Sequence, residues 1–562
     1  MAYIVKQKTK TGRTNIYVAD NHHIPGKGSR QTRRYLGVLS EDKSELFLCA
    51  TSSEKISDDI MLLLEKKGIA FKGQRADGPG RKSTQHKDGG EQERLTKRTL
   101  ASSATFEHGR IDLLRELASQ STLSLCLEQA FGKDLADRIF ALSAYQVCES
   151  STLYLASDWC EDNNINLGLS SSSVSRVLHA VGSGSSAVMN FFERWIESNG
   201  RPTSLIHDTT SISSYSNTIS DIEWGYNRDD ENLPQLNIAM VVERKKRIPL
   251  WYRVLPGSIP DVSSLKKTCE IVSGLGIDSF SFSLDRGFFS KANIASLIAD
   301  KVDFIIGVPC HHKQPTELIN NHYDQLKYID RIMLIGESRI KYTSCIYKGE
   351  DTGGNTVNIR GHLFLDADRR DMQLKKLETG IAELLEKAKL ASFPDESAAK
   401  KWINDTCGPL SKYFSTRTND TRQTIILDSI AFEQDYRKCG VMLVLTSKND
   451  PSPAQVLSDY RCRDIAEKVF DKIKNGVGFS RIRCQGNDNM EGRVFVAFVA
   501  TVLRAIVEER MRSSGLLKKY SVDEALGILK KVRSFIFPSG KIVKREIPAR
   551  CREIWTACLG AK

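Results

Sequence analysis

The sequence lacks the long apolar runs that carry a chain into or across a membrane. A membrane-spanning helix needs about 20 consecutive apolar residues, and one of the longest uncharged apolar stretches here, Val494 to Val502, is far shorter. The first residues, Met-Ala-Tyr-Ile-Val-Lys-Gln-Lys, contain no apolar segment of the kind found in signal peptides. We therefore expect no membrane partner and a cytoplasmic location.

Paired cysteine motifs are also missing. The 13 cysteines are scattered, odd in number and include no Cys-x-x-Cys pair, which argues against a disulfide framework and against a zinc ribbon. The only local cluster of metal-type ligands is Cys310-His311-His312. Its spacing is not that of a zinc site, so we interpret these residues as part of a polar loop.

What the sequence does have is length and positive charge. With 562 residues there is room for several domains and at least one large core. The net charge of +12 favours a polyanionic partner such as nucleic acid. Charge alone is weak support for that partner, because many basic proteins bind no nucleic acid.

The first 200 residues divide by composition into three regions. Residues 1–72 begin with a strand–turn–strand pattern and are predicted to form a small β-containing domain, whose basic sheet either grips the DNA backbone or is simply solvated. Residues 73–104 are rich in glycine and charge and are predicted to be a flexible linker. Residues 105–200 carry apolar residues at helical spacing and form a candidate DNA-binding domain.

Within that helical region, a run of serines from Ser170 precedes an apolar-periodic segment and predicts a capped helix. One interpretation is a DNA-recognition helix with the serines and Arg176 facing DNA. The other is an ordinary packed helix, and the sequence leaves both open.

The remainder predicts a mixed α/β fold. Residues 201–310 give the order β–β–β–α–β–α–β, which is that of a mixed sheet with flanking helices. Residues 311–445 contain further strand-like runs and a charged helix from about Arg369 to Ala391, and are predicted to be a largely β insertion. Residues 446–515 read as long helices that complete the core, and residues 516–562 as a basic C-terminal tail.

Two groups of polar residues stand out in this second half. Asp208 and Asp285 each follow an apolar run, at predicted strand ends where a sheet presents polar groups to a cleft. In a helix, Tyr460, Arg463, Glu467 and Lys474 fall on one face. Each acid alone is explained by a turn, a cap or a helix surface. Together, the three carboxylates indicate a two-metal site for phosphodiester chemistry.

The combination resembles the DDE transposases of the insertion-sequence-4 type. Their signature is Tyr, two residues, Arg, three residues, Glu, six residues, Lys, and Tyr460 to Lys474 matches it without deviation. The second-acid motif, Asp-Arg-Gly followed by an aromatic residue, is matched at Asp285, and the first, Asp followed by Thr or Ser, at Asp208. The resemblance covers residues 200–310 and 440–510, and the intervening block by position only. The N-terminal sheet is similar to that of a longer branch of the group.

The resemblance implies a ribonuclease-H-like fold interrupted by a β-rich insertion. It implies a DNA transposase that binds terminal inverted repeats, cleaves donor DNA and joins the ends to target DNA. Two Mg²⁺ ions, for which Mn²⁺ can substitute, would be held by Asp208, Asp285 and Glu467. The phosphates near the transposon end would be bound by Tyr460, Arg463 and Lys474. The partners would be double-stranded DNA and at least one further copy of the chain, at the bacterial nucleoid.

Two alternatives remain. A ribonuclease-H-fold nuclease would cut DNA without joining it, but the large insertion and the separate N-terminal regions argue against it. An inactive, DNA-binding derivative of a transposase would be marked by loss of a metal carboxylate, and all three are present in this sequence.

Overall fold

The computed structural model describes residues 2–9, 14–24, 28–40, 44–48, 58–74, 104–336, 338–419, 422–448 and 451–560. The chain divides into two compact units, Met1–Leu95 and Thr96–Lys562. Most of the expected linker, residues 75–103, lies outside the described residues. None of the helices in the described ranges is long and apolar enough to cross a lipid bilayer.

The first unit contains a five-stranded sheet and one helix. Its elements are β1 (Ala2–Lys8), β2 (Thr14–Ile24), β3 (Gly28–Leu39), β4 (Glu45–Leu48), α1 (Asp58–Glu65) and β5 (Ala70–Gln74). The strands lie in chain order; all neighbours are antiparallel except β4 and β5, which are parallel. Alternate strand residues such as Ile16 and Val18 point to one face and pack with Leu64 of the helix, because strand side chains alternate between the faces.

The second unit is a mixture of strands and helices. Its strands are β6 (Ala104–Glu107), β7 (Ser204–Ser214), β8 (Gln235–Glu243), β9 (Pro249–Pro256), β10 (Ser281–Leu284), β11 (Asp303–Val308), β12 (Ile332–Ile335), β13 (Ser338–Glu350), β14 (Thr356–Asp366), β15 (Phe414–Asn419), β16 (Arg422–Leu427), β17 (Val441–Thr446), β18 (Arg481–Ile482), β19 (Arg533–Ile536) and β20 (Ile542–Lys544). Its helices are α2 (Gly109–Gln120), α3 (Leu123–Phe131), α4 (Lys133–Glu149), α5 (Ala156–Asp162), α6 (Ser171–Gly182), α7 (Ser185–Ser198), α8 (Asp261–Gly274), α9 (Lys291–Ala299), α10 (Lys313–His322), α11 (Ala367–Leu390), α12 (Glu396–Cys407), α13 (Ser429–Lys438), α14 (Pro453–Arg461), α15 (Asp464–Asp471), α16 (Asn487–Ser513), α17 (Val522–Leu529) and α18 (Ala549–Leu559).

The main sheet has the order β12-β13-β14-β17-β11-β10-β7-β8-β9, with β18 beside β7. Strands β7, β8 and β9 are antiparallel neighbours, whereas β10 and β11 run parallel to β7 on its other side. In chain order these five strands are arranged three-two-one-four-five, which is the arrangement of a ribonuclease-H-like sheet. The predicted fold class, a mixed sheet with flanking helices, is therefore confirmed.

The block expected as a β-rich insertion differs from that expectation. Its long strands β13 and β14 are not a separate module, because they join the main sheet through antiparallel pairing of β14 with β17 and of β17 with β11. Residues 311–445 also contain four helices, α10 to α13. The longest, Ala367–Leu390, buries only Ile381, Leu384 and Ala388. This helix was expected from about Arg369 to Ala391, and its narrow apolar stripe agrees with its charged sequence.

Helix α16 (Asn487–Ser513) forms the centre of the core. All its residues from Val494 to Ile506 are buried, so it is surrounded by other elements rather than exposing one face. The segment expected to be a basic C-terminal tail is basic, but residues 516–559 contain helices and strands. Their apolar residues, such as Leu529 and Ile554, pack into the same core as α16, and β19 pairs with β6.

Candidate active site

Two neighbouring parallel strands place the first two aspartates side by side. Strands β7 and β10 pair with His207 opposite Leu284. Asp208 is the next residue along β7, and Asp285 is the residue after Leu284. Asp285 follows the end of β10, as expected. Asp208 lies inside β7, which continues to Ser214, so its expected position at a strand end is wrong. The β-branched Thr and Ile residues that follow it pair well in a sheet and prolong the strand.

The third carboxylate, Glu467, comes from a helical segment that is interrupted twice. The expected continuous helix from Ala454 to Lys474 consists instead of α14, α15 and a π-helical turn, Lys472–Gly476. At the first junction the backbone hydrogen bonds reach back only three residues, as in Ala466 N to Arg463 O at 2.8 Å. The expectation of a single helix was wrong.

The structure nevertheless gathers all of the sequence-predicted site residues around two cavities with a common wall. The first, of about 470 Å³, is lined by Asp208, Asp285, Arg463, Glu467 and Lys474, among others. The second, of about 440 Å³, is lined by Tyr460 and shares Asp285, Arg463 and Glu467 with the first.

Arg463 stands between two of the acids. Its Nη1 lies 3.2 Å from Oδ1 of Asp285 and 2.9 Å from Oε1 of Glu467. The guanidinium therefore joins a carboxylate of the sheet to one of the helix. It also lies over the ring of Tyr460, 5.4 Å from the centroid, in a cation–π contact that fixes its plane.

Tyr460 contributes a neutral hydroxyl to the same group. Its phenol donates to Oδ1 of Asp285 at 3.4 Å. Burial, together with the negative charge of Asp285, raises the pKa of Tyr460 to about 12, so the phenol keeps its proton at neutral pH. The hydroxyl packs against the backbone of Gly307 on β11, where a side chain would overlap it.

The carboxyl of Asp208 is the most perturbed acid of the site. Burial, together with the negative charges of Asp285 and Asp261, raises its pKa from 3.8 to about 7, against the opposing effects of the Thr209 N–H and of Arg228. A carboxylate held at such a pKa lacks a sufficient positive partner.

Four further charged residues of the first cavity, Arg228, Asp229, Asp261 and Asp471, were not identified from the sequence. Arg228 pairs with Asp261 and donates to Oγ1 of Thr209 at 2.6 Å, while Asp229 accepts from Nζ of Lys474 at 2.6 Å. Arg228 and Asp229 lie in the loop between β7 and β8. Asp261 is the first residue of α8, where an acidic residue is commonly explained by its favourable interaction with the helix dipole. The only sequence signal was the charged run Arg228-Asp229-Asp230.

The composition of the first cavity bears on whether it suits metal ions. Six carboxylates but only three cationic side chains line it, which leaves an excess of negative charge. All of these acids offer oxygen ligands, which Mg²⁺ prefers. In the described part of the chain, however, no three His, Cys, Asp or Glu residues form a ready metal-binding group. The donor chemistry and the charge fit divalent cations, and Arg463 occupies the space between two of the donors.

Comparison with known proteins identifies the family of this chain. Residues 199–503 match the family model described as the transposase DDE domain. Because the match covers more than half of the chain, this protein belongs to that family, and the family generally uses divalent metal ions. No curated protein matches the sequence. Among solved structures, the fold is similar to the cryo-EM structure of a piggyBac transposase synaptic complex with hairpin DNA, with 10% identity, a TM-score of 0.34 and coverage of 75% of this chain and 77% of that one.

Proposed function

We propose that this protein is a cut-and-paste DNA transposase of the insertion-sequence-4 type. It would bind the terminal inverted repeats of its element, cleave there and transfer the ends to target DNA. The observation that carries the proposal is the convergence of Asp208, Asp285 and Glu467 on one cavity with excess negative charge. Such a cavity repels a DNA phosphate unless cations are bound with it.

Asp208, Asp285 and Glu467 are the residues that would hold two Mg²⁺ ions. When bound, such ions activate a water or a 3′-hydroxyl and stabilise the leaving oxygen of a phosphodiester. The two cationic residues of the signature, Arg463 and Lys474, would then have distinct roles. Arg463 presents a planar fork beside the acids that suits two phosphate oxygens, whereas Lys474, held by Asp229, adds a point charge at the other side of the cavity.

Tyr460 positions rather than reacts. With its pKa raised to about 12 it stays protonated, and its hydroxyl and Nη1 of Arg463 both contact Oδ1 of Asp285 and orient that carboxylate. We further propose that the active assembly contains at least two protomers, because two transposon ends must be handled together, and that it works on double-stranded DNA in the bacterial cytoplasm at the nucleoid.

The test is Mg²⁺-dependent cleavage of a DNA fragment carrying the element's own end. Glu467→Gln should abolish cleavage and leave binding to the end largely intact, because the exchange removes a metal ligand but no phosphate contact. The matched control is Glu193→Gln on the exposed face of α7, which should cleave like the wild type. Full cleavage by Glu467→Gln would contradict the metal assignment.

The joining of a DNA end to target DNA distinguishes a transposase from a nuclease. The wild-type protein should insert a pre-cut 3′-end into a target plasmid when Mg²⁺ is present. Cleavage without any joining would identify a nuclease of the same fold. End-specific binding with neither reaction would identify an inactive, DNA-binding derivative.

A further inference from the structure

A third cavity, larger than either of the two cavities at the candidate active site, lies at the start of helix α6 (Ser171–Gly182). Its volume is about 680 Å³, and no acidic residue lines it. Its walls carry three arginines, Arg481, Arg483 and Arg493, together with uncharged hydroxyl and amide side chains such as those of Ser171, Ser175 and Asn489. Cations with uncharged donors are the groups that bind phosphate oxygens.

Arg493, on helix α16 (Asn487–Ser513), is the unusual member of this set. Only 8% of it is exposed. It forms no ion pair or hydrogen bond with any described residue, and its Nη1 is buried without a partner. Its guanidinium lies over the ring of Phe479 at 4.9 Å. A buried charge without a counter-charge is strongly unfavourable, so the native protein is expected to meet an anion here.

The backbone holds this arginine in place. Helices α6 and α16 approach so closely at Gly492 that a side chain there would overlap the carbonyl oxygen of Leu178. Arg493, the next residue, is thus fixed beside α6. Ser171 and Ser175 of α6 line the same cavity, so their hydroxyl-bearing side chains and the unpaired guanidinium of Arg493 border one space.

The third cavity is close enough to the first, catalytic cavity for a single DNA strand to reach both. Lys474 lines the catalytic cavity and Arg481 the third cavity. The seven-residue step from Lys474 to Arg481 spans at most about 25 Å. A DNA strand that rises about 3.4 Å per nucleotide covers this distance in roughly seven nucleotides. The loop between β7 and β8 contacts residues of both cavities. Its Asp229 pairs with Lys474 and its Glu231 pairs with Arg481, each at 2.6 Å.

We propose that this cavity binds a backbone phosphate of the DNA strand whose end lies in the catalytic cavity, with Arg493 as its buried anchor and Arg483 at its rim. The inference rests on the proposed function, because it takes the bound polyanion to be DNA. Arg483 is exposed and has no ion pair or hydrogen bond with the described residues, so it is available to a phosphate.

The experiment measures the affinity of the full chain for the element's end as a function of salt concentration. Arg493→Met should lower affinity roughly tenfold near 0.1 M salt and flatten the slope of log affinity against log salt by about one unit. Its melting temperature should not fall, because the exchange removes an unpaired buried charge. Arg483→Met, at an exposed position, should flatten the slope in the same way without any risk to folding.

The matched control is Arg504→Met on the same helix. Arg504 is also 8% exposed, but it forms two hydrogen bonds of 2.8 Å with Asp523. This variant should lose thermal stability and keep the wild-type salt slope. A merely structural Arg493 would behave like Arg504, with reduced stability and unchanged DNA binding, and that result would overturn the inference.

Two further outcomes separate the alternatives. If millimolar inorganic phosphate stabilises the wild type but not Arg493→Met, and DNA affinity is equal in both, the cavity binds free phosphate and the DNA assignment is wrong. If the slope changes as expected but the wild type does not cleave, the cavity assignment stands and the catalytic proposal fails. Cleavage by the wild type with identical slopes in all variants overturns the cavity assignment alone.

Discussion

Replacing Asp208 by Asn is expected to stabilise the metal-free protein at and above neutral pH. Burial first, and then repulsion from Asp285 and Asp261, raise the pKa of this carboxyl from 3.8 to about 7. A raised pKa means that the folded state binds the proton more tightly than the unfolded state. The cost of ionisation is therefore absent below about pH 4, develops as the pH rises between the two pKa values, and is complete above pH 7.

The size of the effect follows from this shift. About three pKa units correspond to at most about 4 kcal/mol, and since the Asp208 side chain is only half-buried, solvent screening reduces this to about 2 kcal/mol. A melting entropy of about 2.1 cal/mol/K per residue gives about 1 kcal/mol/K for a unit of this size. Asp208→Asn should thus raise the melting temperature by about 2 °C at pH 8 and leave it unchanged at pH 4.

The assay is thermal unfolding in EDTA at pH 4, 6 and 8. Asp137→Asn, on the exposed surface of α4, is the control and should match the wild type throughout. Addition of Mg²⁺ at pH 8 should stabilise the wild type more than Asp208→Asn, which has lost one ligand. A variant that melts below the wild type at pH 8, or a difference that is independent of pH, would refute the reasoning.

Two other perturbations test particular contacts. Gly307→Ala should slow cleavage at least tenfold with little change in DNA affinity, because the new methyl group displaces the Tyr460 hydroxyl from Asp285; an unchanged cleavage rate would show that Tyr460 does not position the acid. Glu491→Gln should raise the melting temperature by about 1 °C above pH 7 and not near pH 4, since burial, with Asp221 and Asp488, raises the pKa of this half-buried carboxyl to about 7. Cleavage rates should stay at the wild-type level, and a lower melting temperature at pH 8 would contradict the assignment.

Much of the sheet and the main acids could be predicted from the sequence because their signals are local. The runs that became β8, β9 and β11 are short, apolar and bounded by polar turns, and the structure has strands at those places. Asp285 was found because it follows such a run directly. Glu467 was found through the spacing of its neighbours, and that spacing survives the interruption of the helix since Arg463, Glu467 and Lys474 still line one cavity.

The rest depends on partners that are distant in sequence. Nothing local indicates that Asp229 will hold Lys474, because the two residues are 245 positions apart and meet only when β18 pairs with β7. The burial of Arg493 could not be predicted from the sequence for a related reason. A cation at the edge of an apolar helical pattern reads as a solvent-facing residue, and its burial becomes visible only when the close packing at Gly492 is known.

The catalytic cavity carries excess negative charge, whereas the cavity around Arg493 carries positive charge. DNA binding and DNA cleavage are therefore expected to depend on different cavities. The catalytic cavity, with its excess of carboxylates, contributes repulsion to a DNA strand until cations are present, whereas the cavity around Arg493 has no acid and attracts the same strand at all times. Removal of metal should therefore abolish cleavage while most of the affinity for DNA remains. The protein would then hold a transposon end before the metal ions arrive, and DNA affinity in EDTA should depend on Arg493 more than on Glu467. If EDTA and Glu467→Gln each weakened DNA binding as strongly as Arg493→Met, the phosphates would be held chiefly at the catalytic acids, and the cavity around Arg493 would have no separate role.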